Sequence, residues 1–421
     1  MCSELFRIPY SWAGVPIFGF GVLLAVWAIA GVGSLALSIR RQGWNTETWS
    51  LVPLLALTGA AILWMPKLFP DGLPIRGYGL MVLLGTVSGV GLATYRARQV
   101  GLNHEIIWSL AFWLFIGGIL GARLFYVIEY WDQRFRSDSI STTIFRVLDF
   151  PEGGLVIYGA LLGGAVATIA FVRKHNLPLL ALADLITPSM LVGLALGRIG
   201  CLLNGCCYGG PSTLPWAVTF PPTSPPYLDQ VANGEMYGFR LDVDHPQRPT
   251  IASVAMGSAA AKAGLATGDV ITRINDYPVA SVSEAEQVLS QEFGTRQPLK
   301  LQLAAGDNRV DLPAADPPAR SNPVHPAQIY SSIDAGLLAW LLWAYYPFRR
   351  RDGEVIALLL TIHPISRFML EIIRTDEPAV WGTGLSISQN ISILIFVVAV
   401  GLWIYVLNQP RRVAWAAPAS S

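Results

Sequence analysis

Charge is what this sequence has least of: only 14% of its 421 residues are Asp, Glu, Lys or Arg, against roughly 25% in an ordinary soluble domain. Hydrophobic residues make up 53%, and the mean hydropathy is +0.47. A water-soluble globule is excluded, because so much apolar surface leaves no wettable exterior. There is no long basic run and the net charge is +1, so nucleic acid is not an expected partner. Four cysteines are too few for a disulfide scaffold. The opening MCSELFRIPYSW lacks the basic stretch of a cleavable signal, and the first apolar run is read as retained. An H-E-x-x-H zinc motif is also missing. The one His-Glu pair, His104–Glu105, runs on into Ile-Ile-Trp, which excludes an intramembrane metalloprotease of that type. The glycines of 85–91 sit inside an apolar run and make no nucleotide loop.

What is present is a series of membrane spans. About 20 apolar residues cross a bilayer, and nine stretches qualify: roughly 15–39, 49–66, 77–95, 106–129, 154–172, 181–203, 328–346, 354–373 and 386–407. Eleven basic residues follow the odd-numbered spans: Arg40, Arg41, Arg96, Arg98, Arg173, Lys174, Arg349, Arg350, Arg351, Arg411 and Arg412. The opposite short loops hold six, mixed with acids. The bias puts the C-terminus in the cytoplasm, and the N-terminus and the long segment 204–327 outside. The expected fold is an all-α polytopic membrane protein of about nine helices with a small α+β insert. Residues 1–73 form a two-helix extension, 74–221 and 325–408 a membrane core in two parts, and 409–421 a cytoplasmic tail. PPTSPP at 221–226 and LPAADPP at 312–318 read as linkers, spanning 222–249 and 313–324.

Within the insert, TIASVAMGSAAAKAGLATGDVITRINDYPV (250–279) resembles the PDZ domain of bacterial envelope proteases, over about 250–312. Gly264 is expected to end a helix at 259–263, and Gly268–Asp269 to turn into a strand at 270–274. A second helix is expected at 283–293 and a strand at 299–304. The resemblance implies binding of an envelope protein's C-terminus by strand addition. HPQRPT before Ile251 is not a clean carboxylate-binding loop, so a spacer role stands beside peptide binding.

Ionisable residues inside spans are costly and default to functional candidates. Span six ends in LGRIGCLLNGCCYGGPSTLPW, 196–216. This resembles the signature GRIGNFxNGExxGxxTxxPW of the prolipoprotein diacylglyceryl transferase family. RGYGLMVLLG (76–85), PEGGLVIYGALLGG (151–164), HPAQIY (325–330) and RFMLEIIR (367–374) with SISQNISI resemble its other motifs in order. The resemblance covers about 76–408 and implies a bacterial plasma-membrane enzyme. It would move the diacylglyceryl group of phosphatidylglycerol onto the lipobox cysteine of an exported prolipoprotein, needing no cofactor or metal. Arg198 and Arg374 are the expected phosphate-binding cations, since a planar guanidinium binds phosphate bidentately. Tyr78, Asn204, Gly209, Gln328 and Glu371 are expected at the substrate. The expected topology places Tyr78, Tyr158, Arg198, Asn204, His325 and Arg374 near one leaflet.

Three departures matter. Tyr158 stands where the family stretch carries His, Cys201 where the signature has Asn, and Cys206 where it has Glu. A phenol is a weak base at neutral pH, so His325 competes with Tyr158 as proton acceptor. Bland readings remain beside these: Tyr78 as an aromatic-belt residue, His325 as a structural residue, Arg123 and Arg367–Glu371 as structural ion pairs, and His363 as a packing residue. Cys201, Cys206 and Cys207 suit a metal, a disulfide from Cys201, or plain burial. The non-enzymatic alternative is an inactive transferase-like scaffold that binds anionic lipid and an exported partner.

Overall fold

The computed structural model describes residues 4–43, 46–136, 139–148, 154, 156–243, 245–295, 297–304, 309–314, 316–374, 380 and 382–415. They fall into two compact units, 2–80 and 81–421.

In the first unit, β1 (Glu4–Ile8) pairs antiparallel with β4 (Leu73–Arg76), and β2 (Ser11–Trp12) with β3 (Val15–Pro16). Helices α1 (Val22–Gln42) and α2 (Thr46–Leu68) pack together. The Trp27 indole lies over Gly59 and donates to Thr58 Oγ1 at 2.9 Å. Helix α3 (Gly77–Gln99) starts here, and most of it belongs to the second unit.

The second unit continues with α4 (Glu105–Glu129), α5 (Ile140–Leu148), α6 (Ile157–His175) and α7 (Leu179–Asn204), and closes with α11 (Ala327–Tyr345), α12 (Glu354–Ile372) and α13 (Ile387–Asn408). A helix of 19 or more residues stands at each of the nine expected spans. Among the described residues, six are long and apolar enough to cross a membrane: α1, α3, α4, α7, α12 and α13. Of the other three, α2 offers the shorter apolar stretch Leu55–Leu68 among the described residues, α6 ends in Arg173, Lys174 and His175, and α11 carries Gln328 and Asp334.

Helices α4 and α6 approach closely because small residues face each other. A Cβ on Gly163 would lie 2.1 Å from Gly117 O, and one on Gly121 would lie 2.3 Å from Gly159 O. Gly159 and Gly163 of the 151–164 stretch therefore serve packing. Arg123, read from the sequence as a structural ion pair, lies on α4 and bonds backbone carbonyls. Its guanidinium donates to the carbonyls of Val147 (2.9 Å), Arg146 (2.7 Å) and Gly154 (3.3 Å) and so fixes α5 against α4.

The insert holds α8 (Pro225–Ala232), β5 (Phe239–Leu241), β6 (Ile251–Val254), α9 (Ala259–Lys262), β7 (Ile271–Ile274), β8 (Tyr277–Pro278), α10 (Val282–Glu292), β9 (Leu299–Leu303) and β10 (Arg309–Leu312). Its four-stranded sheet runs β10-β9-β7-β8, beside the pair β5–β6. Alternation along β9 and β10 buries Leu299, Leu301, Leu303, Val310 and Leu312 against Leu289 of α10. The expected elements at 259–263, 270–274, 283–293 and 299–304 are all present to within a residue or two.

The expected linkers are not loose. Phe239 and Leu241 belong to the insert's core, so the folded module begins well before residue 250. Pro225 and Pro226 open α8, where a missing N–H costs nothing. The flanks are tied side by side: Phe220 N donates to Ser321 Oγ at 2.9 Å, Ser321 N to Phe220 O at 2.8 Å, and Tyr227 Oη to Pro318 O at 3.0 Å.

Candidate functional site

The site grows from the end of α7. Gly205 closes the helix in the left-handed conformation, φ 81°, with its N–H on Cys201 O at 2.9 Å, a common helix stop. The chain then turns sharply at Cys207, φ 58°. Backbone bonds join the next residues to distant segments: Gly209 N donates to His325 O at 2.9 Å, His325 N to Gly210 O at 2.9 Å, and Gly210 N to Ile373 O at 2.8 Å. A Cβ on Gly209 would lie 2.6 Å from His325 Cβ and 3.0 Å from Ile373 O. Only glycine fits there, which explains its place in the motif without a ligand. Gln328 is fully buried and clamps the same loop, donating from Nε2 to Cys206 O at 2.7 Å. Trp216 Nε1 donates to Tyr330 Oη at 2.7 Å.

Helices α12 and α13 add a charged network. Buried Glu371 pairs with Arg367 through Nη1 and Oε2, and with Arg374 at 3.3 Å. Ser386 Oγ donates to Glu371 Oε1 at 3.3 Å, and Arg367 Nη2 to Ser388 Oγ at 2.9 Å. Ser386 also caps α13, with Gln389 completing a reciprocal capping box. Glu371 thus orients Arg367 and Arg374 and locks the two helices together.

Arg198 is different. It is half-buried on α7, and no hydrogen bond or ion pair engages it among the described residues. Its charge, with those of Arg367 and Asp334, reaches His363 on α12. Asp334 accepts from Ser366 Oγ at 2.9 Å, fixing α11 to α12. His325 Nδ1, Gln328 Oε1 and His363 Nδ1 are buried without hydrogen-bond partners. An apolar cavity of about 270 Å³ runs between α3, α4 and α7 past Gly85, Gly89 and Gly193 to Gly197, the residue before Arg198.

The structure therefore ties the loop at Gly209 to His325, Gln328 and the Ile373 end of α12, with Arg198 and Asn204 in the last two turns of α7. Asn204 is the exposed last residue of α7. Tyr158 stands half-buried at the start of α6, whose packing partner is α4. Tyr78 is exposed and belongs to the first unit. Cys201, Cys206 and Cys207 are free thiols whose sulfurs all lie within 4.8 Å of one another. Sequence reasoning passed over Asp334 and Ser366. Their signal was available, since each is a polar residue inside or at the end of an apolar run.

Comparison with known proteins identifies the family. Residues 66–405 match the family described as prolipoprotein diacylglyceryl transferase. A phosphatidylglycerol–prolipoprotein diacylglyceryl transferase of Rhodopirellula baltica is 33% identical over 94% of this chain and 87% of its own length. One of Clostridium tetani is 28% identical over 81% of this chain and 96% of its own. One of Gloeobacter violaceus is 36% identical over 37% of this chain and 56% of its own.

Proposed function

The chain belongs to the prolipoprotein diacylglyceryl transferase family, and on that premise we propose how its charged groups divide the work. The protein is an enzyme of lipoprotein biosynthesis. It transfers the diacylglyceryl group of phosphatidylglycerol to the lipobox cysteine thiol of a prolipoprotein and releases glycerol phosphate.

The observation that carries the mechanism is Arg198. An arginine within a span costs roughly 2.5–3.5 kcal/mol on insertion scales, and no protein group among those described offsets that cost. A lipid phosphate does. Arg198 takes the phosphate with two parallel N–H donors, and Arg374, steadied by Glu371, adds a second contact. Asn204 orients the headgroup glycerol, and one acyl chain lies in the apolar cavity that ends at Gly197. As the thiol attacks, negative charge builds on the leaving phosphate, which both guanidiniums stabilise. Tyr158 donates a hydrogen bond to that phosphate. Gly209 and Gln328 act by holding the 205–210 loop against His325.

Nine spans, with the C-terminus in the bacterial cytoplasm and the N-terminus and insert outside, follow from the basic-residue bias. That orientation puts Arg198 where exported substrates meet the outer leaflet. The insert resembles a PDZ domain, and an envelope protein's C-terminus is its proposed ligand.

The test is direct. Purified protein is given phosphatidylglycerol and a lipobox peptide, and the peptide is weighed. A gain of one diacylglyceryl group supports transfer. Lipid binding with no mass gain would support the scaffold reading, which the Tyr158 substitution motivates.

A further inference from the structure

The three-thiol cluster has no part in the mechanism above. Cys201 lies one helical turn beyond Arg198, an i,i+3 pair on one face of α7. Gly205 ends the helix and the positive φ of Cys207 reverses the chain, which folds Cys206 and Cys207 back toward Cys201. Cys206 Sγ donates to Cys201 O at 3.8 Å. All three cysteines are partly exposed. Among the described residues, no fourth His, Cys, Asp or Glu joins the group.

We propose that Cys201, Cys206 and Cys207 hold one zinc ion whose fourth position takes the lipobox thiol. The proposal rests on the transferase reading. With zinc–sulfur bonds of about 2.3 Å, sulfurs at tetrahedral angles stand about 3.8 Å apart. The cluster, within 4.8 Å throughout, stands within about 1 Å of that spacing. Three protein ligands and one open position is the pattern of zinc sites that act on substrate. The chemistry answers the weak base at Tyr158, because a thiol bound to zinc loses its proton outright. Its proton leaves to solvent as the sulfur binds. The zinc-held thiolate then attacks the glyceryl carbon that carries the phosphate ester. The S–C bond forms as the C–O bond breaks, and the electron pair leaves on glycerol phosphate beside Arg198. No oxidant or reductant is involved. This departs from the cofactor-free reaction expected from the sequence.

The test uses full-length reduced protein in detergent, loaded with Zn²⁺ or Co²⁺ and desalted. One metal per chain is expected, lost in Cys201→Ser and in Cys206→Ser, with thiolate-to-cobalt absorption in the wild type. A lipobox peptide added without phosphatidylglycerol should shift the cobalt bands, and a peptide with Ser at the acceptor position should not. Stripping zinc should lower transfer at least tenfold at pH 7, less above pH 9 where the free thiol ionises, and Zn²⁺ should restore it. No metal on reduced wild-type protein, or bands indifferent to the peptide, would overturn the site. Metal-free protein that transfers at full rate would overturn the zinc role and leave the transferase reading intact. Metal and peptide bound with no transfer from phosphatidylglycerol would sink the transferase reading and uphold the site.

Discussion

The two ends of α7 treat buried charge in opposite ways. Near its start, Asp184 is fully buried and accepts N–H bonds from Gly353 at 2.7 Å and Ile356 at 2.9 Å, with Arg349 at 3.8 Å. Arg349 in turn donates to Tyr346 O at 2.9 Å and stacks 3.7 Å from that ring, while Arg96 stacks 3.5 Å from Trp343. About 21 Å along the helix, 14 residues at 1.5 Å each, Arg198 has no such partner among the described residues. A buried charge supplied with donors and a counter-ion fixes helices in place. A charge left without them is held for a ligand. The same helix builds an anchor at one end and a binding site at the other.

The sharpest way to break this comparison is at the anchor. Asp184→Ala strands Arg349 and two N–H groups of α12, and should cost about 3–5 kcal/mol of stability. The protein that remains folded should transfer at the normal rate per molecule, as thermal unfolding and the mass assay can show together. Lost activity at unchanged stability would mean that Asp184 belongs to the chemistry. At the other end, Arg198→Lys should lower transfer about 50- to 150-fold, the worth of roughly 2.5–3 kcal/mol of bidentate bonding. The unfolding temperature should stay within about 2 °C. If Lys works as well as Arg, the residue merely snorkels to the interface.

Gly209→Ala tests the ground between the two. The added methyl meets His325 Cβ at 2.6 Å and the backbone oxygen of Ile373 at 3.0 Å, so overpacking of about 1–3 kcal/mol is expected. Unlike Asp184→Ala, it should also raise KM for the peptide, because the loop it moves carries Cys206 and Cys207. A purely thermal effect would detach that loop from the site.

Much of this was legible in the sequence, for identifiable reasons. Hydropathy located α7 as 181–203, and the helix runs 179–204, because the bilayer fixes span length and composition together. The motifs around Arg198 and Glu371 marked the site because polar groups in apolar runs are rare. Partners were not legible. Nothing local tells that Asp184 caps a helix starting 170 positions later, or that Phe220 and Ser321 tie the insert's flanks. Proline-rich composition suggested loose linkers there, and tertiary hydrogen bonds overrode it. The spacing of Cys201, Cys206 and Cys207 marked the thiol cluster, and the left-handed backbone at Cys207 completes its turn.

The smallest effect concerns a buried carboxylate in the insert, intermediate between the two ends of α7. Glu235 has a side chain only 14% exposed, with Arg240 at 3.6 Å and Asn233 Nδ2 at 3.4 Å, poorer partners than Asp184 has. Burial raises its pKa, and Arg240 and Asn233 only partly oppose the rise. A raised acid pKa means that the folded insert binds the proton more readily than the unfolded chain. Its stability is therefore highest below the ordinary carboxylate pKa and falls as pH rises through the raised one. Glu235→Gln removes the titrating group and keeps the shape. The variant should lose this slope, and at pH 7 its β7 and β9 amides should be about two- to fivefold better protected from hydrogen exchange, after correction for intrinsic rates. A wild-type slope of the opposite sign would show that Arg240 outweighs burial, and Glu235 would then be a paired anchor of the Asp184 kind.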